Sequence, residues 1–212
     1  RYFVMKKSKK KKKSNTWKIK QHRDQFFKKS KILGYRSRSA FKLIELNEKF
    51  KFIKSNSNLL DLGSCPGGWS QVASKIVKKG KILSLDIKQM DPIANVTFIK
   101  GDVFDEDTKK KVKRFFKGKL DVIVSDMAAN TTGSKSLDAI RTNQLCLEII
   151  NFSKIMLKPD GVFTSKLFMG KDFEAVKNLA KFTFEYVSFF KPESSRDESK
   201  ETYLHCRILK TL

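Results

Sequence analysis

The chain has 212 residues, 40% of them hydrophobic and 18 of them phenylalanine, which fits one folded domain with a substantial core. No apolar run approaches the roughly 18 to 20 residues that cross a membrane, so we expect a soluble protein with no membrane association. The formal net charge of +24 indicates a polyanionic partner, either nucleic acid or an anionic membrane surface.

The positive charge is concentrated at the N-terminal end. Residues 1–54 hold 20 Lys and Arg but only 3 Asp and Glu, and the first 23 residues contain no acid. A coding bias could explain why Lys outnumbers Arg 38 to 8, but it does not explain a concentration at one end. We therefore favour nucleic acid as the partner and predict that residues 1–16 are a disordered basic tail that grips RNA. An organelle-targeting segment is the alternative.

Two helices are predicted before the first strand, and residues 17–57 are expected to contact RNA. The first helix runs from Trp17 to about Leu33 and closes at Gly34, since glycine favours the position after a helix end. The second begins near Ser37 and carries the apolar residues Ala40, Phe41, Leu43, Ile44 and Leu46.

Short apolar strands alternate with helices through the rest of the chain. Strands are predicted at residues 59–62, 81–86, 96–100, 120–125, 162–168, 186–190 and 203–209. Helices are predicted up to about Val77 and near residues 107–116, 136–157 and 173–182. This alternation predicts an α/β fold with a parallel sheet and helices on both faces, so residues 17–212 form one domain with its core at 58–212. Ligands of such folds bind at the carboxyl ends of the strands.

The segment from Asp61 to Trp69 is a glycine turn between a strand and a helix. Its backbone can approach a ligand closely, and the helix N-terminus suits an anionic group. The dinucleotide fingerprint G-x-G-x-x-G is not matched, because Cys65 and Pro66 follow Gly63. The turn alone therefore does not identify a cofactor.

Two further acids follow predicted strands. Asp86 lies about 20 residues after the glycine turn, where an acid accepts hydrogen bonds from ribose hydroxyls. Asp102 follows the next strand and could accept from an adenine amino group. Each acid alone could be a helix cap or a turn residue. Their positions at consecutive strand ends favour a ligand that contains adenosine.

Cysteine and histidine give no sign of a disulfide or a metal site. Cys65, Cys146 and Cys206 show no pairing pattern, which fits free thiols in a reducing compartment. His22 and His205 lack metal-ligand spacing, so no metal is expected.

Five ordered stretches resemble the FtsJ/RrmJ family of ribose 2′-O-methyltransferases. They are RSRSAFKL at 36–43, DLGSCPGGWSQ at 61–71, SDMAAN at 125–130, SKLF at 165–168, and KPESSR at 191–196 with ETY at 201–203. The resemblance covers the chain from about Trp17 onward. This sequence departs from the family pattern at Ala129, where the family has proline, and at Ser64 and Cys65 in the glycine turn.

The resemblance implies a Rossmann-like fold with a mostly parallel seven-stranded sheet and S-adenosyl-L-methionine as cofactor. It carries the family's catalytic residues onto Lys42, Asp126, Lys166 and Glu201. Its implied cofactor contacts are Gly63, Gly67, Gly68, Trp69, Asp86, Asp102 and Asp126. Trp69 could instead belong to the core. Arg36 and Arg38 are expected to bind RNA, because the guanidinium fork matches phosphate geometry.

The implied reaction is an in-line methyl transfer that needs no metal. Lys166 would act either as the base that takes the hydroxyl proton or as a cation that stabilises the developing alkoxide. The sequence leaves both roles open.

We expect the substrate to be large-subunit ribosomal RNA, free or within a ribosomal subunit. A tRNA anticodon-loop enzyme is an alternative, and a non-catalytic RNA-binding relative is another, although the intact four-residue set argues against it. A small-molecule methyltransferase fits the basic N-terminal end poorly. The enzyme is expected to be a monomer inside the cell. A mitochondrion or other organelle, the cytoplasm and the nucleolus all remain open as its location.

Overall fold

The computed structural model of the chain describes residues 24–129, 132–170 and 172–210. The predicted basic tail at residues 1–16, and the residues from Trp17 to Arg23, lie outside this part. The described helices are α1 Gln25–Ile32, α2 Ala40–Phe50, α3 Gly68–Ile76, α4 Glu106–Phe116, α5 Lys135–Met156 and α6 Phe173–Thr183. The described strands are β1 Leu59–Leu62, β2 Ile82–Asp86, β3 Thr97–Lys100, β4 Leu120–Ser125, β5 Leu157–Phe168, β6 Phe184–Phe190 and β7 Glu201–Leu209.

The seven strands form one sheet in the order β3-β2-β1-β4-β5-β7-β6. Strands β1 to β5 are parallel, and β7 runs antiparallel to both of its neighbours, β5 and β6. The predicted mostly parallel seven-stranded sheet is confirmed. The strand order changes direction between β1 and β4, and this is where open α/β sheets bind ligands.

Helices cover both faces of the sheet because successive residues of a buried strand point to opposite sides. On β4, Val122 and Val124 pack in a cluster with residues of α2 and α3. Ile123, which lies between them, packs in a second cluster with residues of α4, α5 and α6. Both clusters are apolar, so the central strands are buried on their two faces.

The first predicted helix does not run unbroken to Leu33, and its predicted start at Trp17 lies outside the described residues. Asp24 has an extended backbone, and its side chain accepts hydrogen bonds from the N–H groups of Phe26 and Phe27, so it caps α1 at Gln25. The predicted closure at Gly34 is confirmed. Gly34 has φ of 71°, and the N–H of the following Tyr35 donates to the carbonyl of Ser30 at 2.8 Å.

Strand β5 begins at Leu157, directly after α5, and not at Val162 as predicted. Leu120 of β4 pairs with Leu157, whereas Val122 pairs with Val162, so residues 158–161 bulge from the ladder. The strand was predicted to begin too late because the bulge contains turn-forming residues. Similarly, α2 begins at Ala40 because residues 37–39 form a turn.

No helix in the described part of the chain is long and apolar enough to cross a membrane.

Candidate active site

A cavity of about 400 Å³ lies at the carboxyl ends of β1, β2, β3 and β4. It is lined by Gly63, Cys65, Leu85, Asp86, Ile87, Lys88, Gly101, Asp102, Val103, Phe104, Asp126, Met127, Ala128, Ala129 and Leu145. These residues are far apart in sequence, and they meet here because the parallel strands that precede them end at the same side of the sheet.

Lys166 and Asp126 form an ion pair beside this cavity. The Lys166 Nζ donates to the Asp126 Oδ1 at 3.0 Å and to the Asp126 backbone oxygen at 2.7 Å. The side chains are only 10% and 17% exposed, so water screens the pair weakly. The two acceptors hold the ammonium in a defined position at the end of the sheet.

Lys42 and Glu201 form a second ion pair, with 2.6 Å between Nζ and Oε1. Lys42 comes from α2 and Glu201 from the first position of β7, so the pair joins the N-terminal helices to the sheet. The Lys42 Nζ also lies 5.7 Å from the centre of the Tyr203 ring. The four residues predicted to be catalytic thus form two ion pairs that both adjoin one tyrosine.

Tyr203 connects the two pairs and was missed by the sequence reasoning. Its hydroxyl donates to the Asp126 Oδ1 at 2.7 Å, and its β5 partner in the strand register is Lys166. Residues opposite each other in a sheet place their side chains on the same face. Because Tyr203 lies two positions after Glu201, strand alternation could have identified it.

Charges around Asp126 set its protonation state. Burial alone would raise the pKa of Asp126, but the positive charges of Lys166 and Lys42 and the hydrogen bond from Tyr203 lower it below its usual value. Burial first, and then the charges of Asp126 and Glu201, raise the pKa of Tyr203 well above its usual value. Near neutral pH the site therefore holds an ionised carboxylate and a protonated phenol.

Three predicted cofactor residues besides Asp126 line the cavity. Gly63 has φ of 71°, and a Cβ there would lie 2.5 Å from the Met127 Cγ, so the turn requires glycine. Asp86 accepts from the N–H groups of Cys65 and Lys88, each at 2.8 Å, and Asp102 accepts from Phe104 N–H at 3.0 Å. A carboxylate has further lone pairs, so these turn contacts leave acceptor sites free for a ligand.

Gly67, Gly68 and Trp69 do not line the cavity. A Cβ at Gly67 would lie 3.0 Å from an Arg36 guanidinium nitrogen, and one at Gly68 would overlap the Ser37 hydroxyl. Trp69 is 2% exposed and belongs to the core, with its Nε1 donating to the Ser39 carbonyl at 2.8 Å. The structure places these three residues where α3 packs against the turn before α2, which is the alternative position that the sequence left open for Trp69.

Arg36 and Arg38 make contacts within the protein. Arg36 donates to the carbonyls of Pro66 at 3.3 Å, Asp91 at 2.7 Å and Pro92 at 2.7 Å. Arg38 donates to the Ser194 carbonyl and pairs with Asp24. Both guanidinium groups hold loops in place here, and their contact with RNA stays a prediction.

Asp61 is a buried acid that the sequence did not single out beyond the glycine turn. Its Oδ2 accepts from the Ser70 hydroxyl at 2.6 Å, and that hydroxyl lies 2.7 Å from the Ser84 hydroxyl. Its Oδ1 has no hydrogen-bond partner among the described residues. Burial raises the pKa of Asp61 to about 7; the Ser70 hydrogen bond opposes this rise and the charges of Asp126 and Asp86 add to it.

The three cysteines carry no disulfide, and Cys65 is among the residues that line the cavity. Cys65, Cys146 and Cys206 are all free thiols. Within residues 24–129, 132–170 and 172–210, no group of three or more His, Cys, Asp or Glu could hold a metal ion.

Comparison with known proteins gives one family. A family model described as FtsJ-like methyltransferase matches residues 35–209. A protein from Pelagibacter ubique (strain HTCC1062), named ribosomal RNA large subunit methyltransferase E, is 50% identical over 197 residues, which cover 93% of this chain and 97% of that protein. A protein of the same name from Rickettsia akari (strain Hartford) is 44% identical over 197 residues, covering 90% of this chain and 87% of that protein.

Solved structures agree on the fold. A crystal structure of a provisionally assigned ribosomal RNA methyltransferase from Plasmodium falciparum aligns with a TM-score of 0.75 at 36% identity, covering 82% of this chain and 98% of that chain. A provisionally assigned methyltransferase from Streptococcus mutans, in complex with SAH, aligns with a TM-score of 0.53 at 16% identity over 78% of this chain and 97% of that chain. The second likeness concerns the fold alone. The predicted Rossmann-like methyltransferase fold is confirmed.

Proposed function

The chain belongs to the FtsJ-like methyltransferase family, and from that premise we propose that it methylates a ribose 2′-hydroxyl of large-subunit ribosomal RNA. The observation that carries the proposal is the pair of buried ion pairs, Lys42 with Glu201 and Lys166 with Asp126, beside the cavity at the strand ends. A non-catalytic RNA-binding relative would have no need to keep two buried lysines paired at this position.

The cavity fits S-adenosylmethionine as the methyl donor. Its lining includes apolar residues, among them Val103 and Ile87, which suit a flat adenine ring. The carboxylates of Asp86 and Asp102 provide acceptors for hydroxyl and amino groups. Gly63 brings the backbone close to the cavity without a side chain in the way. Gly67, Gly68 and Trp69 lie outside this lining, and their contact with the cofactor stays a prediction.

Lys166 is the residue we propose to act on the ribose hydroxyl. Bound S-adenosylmethionine supplies an electrophilic methyl group on a sulfonium. An ammonium has three N–H donors, and Lys166 gives two of them to Asp126, which leaves one for the 2′-oxygen. As an ammonium, Lys166 would orient the oxygen and stabilise the negative charge that develops on it. Bound S-adenosylmethionine would give up its methyl group to this oxygen, with the carbon–sulfur bond breaking to leave S-adenosylhomocysteine, and the hydroxyl proton would pass to water.

The relatives' names and the charge of the chain support ribosomal RNA as the substrate. The proteins from Pelagibacter ubique and Rickettsia akari are named for the large ribosomal subunit. A net charge of +24 suits a large polyanion. We also propose that the enzyme acts as a monomer inside the cell, where its RNA is. The bacterial relatives give no support for an organelle, and sedimentation at micromolar concentration would test the monomer.

The choice of RNA is tested by comparing three substrates in separate reactions. Purified large-subunit ribosomal RNA, intact 50S subunits and bulk tRNA from one bacterial source are each incubated with the protein and S-adenosylmethionine labelled on the methyl group. We expect label in the ribosomal RNA or the 50S subunit and none in tRNA. Label in tRNA alone would replace the proposed substrate by the anticodon-loop alternative, and label in no RNA would contradict the function.

A further inference from the structure

One side of α2 and of the turn before it contacts the start of β7 and the residues just before it. Arg38, Lys42 and Glu45 are spaced by four and three residues, so they lie on the same side. All three contact either the β6–β7 segment, residues 191–200, or Glu201, which directly follows it. Lys42, one of the proposed catalytic residues, therefore lies between Arg38 and Glu45, which both contact the β6–β7 segment.

Glu45 makes the most extensive of these attachments. Its Oε2 accepts from the Glu193 N–H at 2.6 Å, and its Oε1 accepts from the Ser194 N–H at 3.1 Å. One carboxylate thus binds two successive backbone amides, and hydrogen bonds to an ionised group are roughly twice as strong as neutral ones. Arg38 donates to the Ser194 carbonyl, so both backbone groups of Ser194 are bound by side chains from this side of α2.

The β6–β7 segment depends on such attachments because it has no regular secondary structure. It contains two turns, closed by Ser195 N–H to the Pro192 carbonyl at 3.0 Å and by Ser199 N–H to the Arg196 carbonyl at 2.9 Å. The position of its end determines where β7 begins. Glu201 is the first residue of β7 and reaches the Lys42 Nζ at 2.6 Å.

We propose that Glu45 is a positioning residue for the methyl transfer: by tying α2 to the β6–β7 segment, it holds Lys42 on Glu201. The activity part of this inference rests on the proposed function. The tie itself does not, because it concerns backbone amides of the protein alone. Glu45 reaches neither the cavity nor the Asp126 pair by any described contact, so it acts through Lys42.

The tie is tested first without any activity. In Glu45→Gln the side chain keeps one acceptor oxygen but turns an amide nitrogen toward the second N–H. We expect the amides of Glu193 and Ser194 to exchange with deuterium about tenfold faster in this variant. The matched control is Glu48→Gln, which removes the same charge from an exposed position of the same helix and should leave both amides unchanged. Unchanged exchange in Glu45→Gln would overturn the proposal.

The positioning role is tested by single-turnover rates at saturating RNA and cofactor. We expect Glu45→Gln to lower the rate about tenfold in the wild-type background, since small misplacements of catalytic groups are costly. In the Lys42→Ala background the same change should cost less than about twofold, because no ammonium remains to be positioned. S-adenosylhomocysteine affinity should stay constant in all four proteins, which shows that each is folded.

Three results separate the outcomes. An equal loss in both backgrounds would mean that Glu45 acts on the fold or on RNA binding and would overturn the proposal. No loss in the wild-type background would overturn it as well. If wild-type protein fails to methylate any RNA, the proposed function fails, and the exchange of Glu193 and Ser194 still decides whether Glu45 makes the tie.

Discussion

At the residue scale, the two buried lysines of the site differ in their surroundings. Lys166 is bound by Asp126 and retains one donor, whereas Lys42 is bound by Glu201 and lies 5.7 Å from the centre of the Tyr203 ring. We therefore expect Lys166 to have the direct role and Lys42 a supporting one. The effect of removing each should differ accordingly.

Lys166→Ala should lower methylation by about 10²- to 10⁴-fold, the usual contribution of a group that acts on the reacting proton or charge. Affinity for S-adenosylhomocysteine, measured by calorimetry, should change little because the proposed work of Lys166 is on the ribose. Lys177→Ala removes a lysine that pairs with Glu174 on the surface and serves as the control. A loss below about tenfold for Lys166→Ala, with RNA binding intact, would mean that Lys166 does not have this role.

Asp86 should determine cofactor affinity instead of rate. We expect Asp86→Asn to weaken binding of S-adenosylhomocysteine about tenfold or more, since a hydrogen bond to a charged group is lost. Asp107→Asn, at a position 86% exposed, should have no effect. Calorimetry should also show no binding of NAD to the wild type. Tight NAD binding, or unchanged affinity in Asp86→Asn, would contradict the cofactor assignment.

At the scale of elements, Asp61 links β1, α3 and β2 through Ser70 and Ser84. Burial raises the pKa of Asp61 to about 7, above the value of about 4 in an unfolded chain. Between these two values the native state binds more protons than the unfolded state, so this residue makes stability fall as pH rises. His205 has the opposite effect, since burial and then Arg207 lower its pKa to about 4.

Asp61→Asn removes the titration of Asp61 and leaves that of His205. Between pH 5 and pH 8, the free energy of unfolding of the variant should decline less than that of the wild type, by about 3 kcal/mol at most. Urea denaturation at the two pH values measures this difference, with Asp107→Asn as the exposed control. Equal changes in wild type and Asp61→Asn would show that Asp61 is ionised throughout this range.

Sequence patterns predicted the elements that local chemistry determines. The predicted strands at 59–62 and 120–125 match β1 and β4, because a parallel strand that is buried on both faces appears in the sequence as a short apolar run. The start of β5 was missed because turn-forming residues after Leu157 conceal its pairing with Leu120. A single sequence also cannot show that the Arg36 guanidinium donates hydrogen bonds to the carbonyls of Pro66, Asp91 and Pro92. Such contacts depend on loops that only the fold brings together.

The resemblance predicted four site residues that the structure gathers at one edge of the sheet, although their roles remain to be measured. Tyr203 and Glu45 were missed for different reasons. Tyr203 could have been found from its alternation with Glu201 along one strand. Glu45 binds backbone amides of Glu193 and Ser194, and no side-chain pattern records such a contact.

At the scale of the whole molecule, the uneven distribution of positive charge is the main feature expected to affect RNA binding. Residues 1–54 contain 20 Lys and Arg and only 3 Asp and Glu, so this end supplies most of the chain's net charge of +24. Within the described part of this end, Lys28, Lys29 and Lys31 of α1 are exposed. Phosphate contacts by such groups release counterions, so RNA affinity should fall steeply with salt.

Removing residues 1–16 should flatten this salt dependence while leaving cofactor affinity unchanged. The plot of log affinity against log salt should lose a slope of up to about 0.7 for each lysine that contacts single-stranded RNA. A variant that keeps the same length but replaces the lysines of residues 9–13 with glutamine separates charge from length. If both variants bind RNA with the slope of the full chain, the basic tail has no part in RNA binding.

The central claim is that a methyl group reaches a ribose oxygen of large-subunit ribosomal RNA, and nucleoside mass spectrometry tests it most directly. RNA treated with wild-type protein and labelled S-adenosylmethionine is digested to nucleosides, and fragmentation shows whether the label lies on the sugar or on the base. We predict label on the sugar of one nucleoside, formed by Lys177→Ala at the wild-type rate and by Lys166→Ala at least about 100-fold more slowly. Label on a base, or sugar methylation by Lys166→Ala within about tenfold of the wild-type rate, would contradict the proposed reaction.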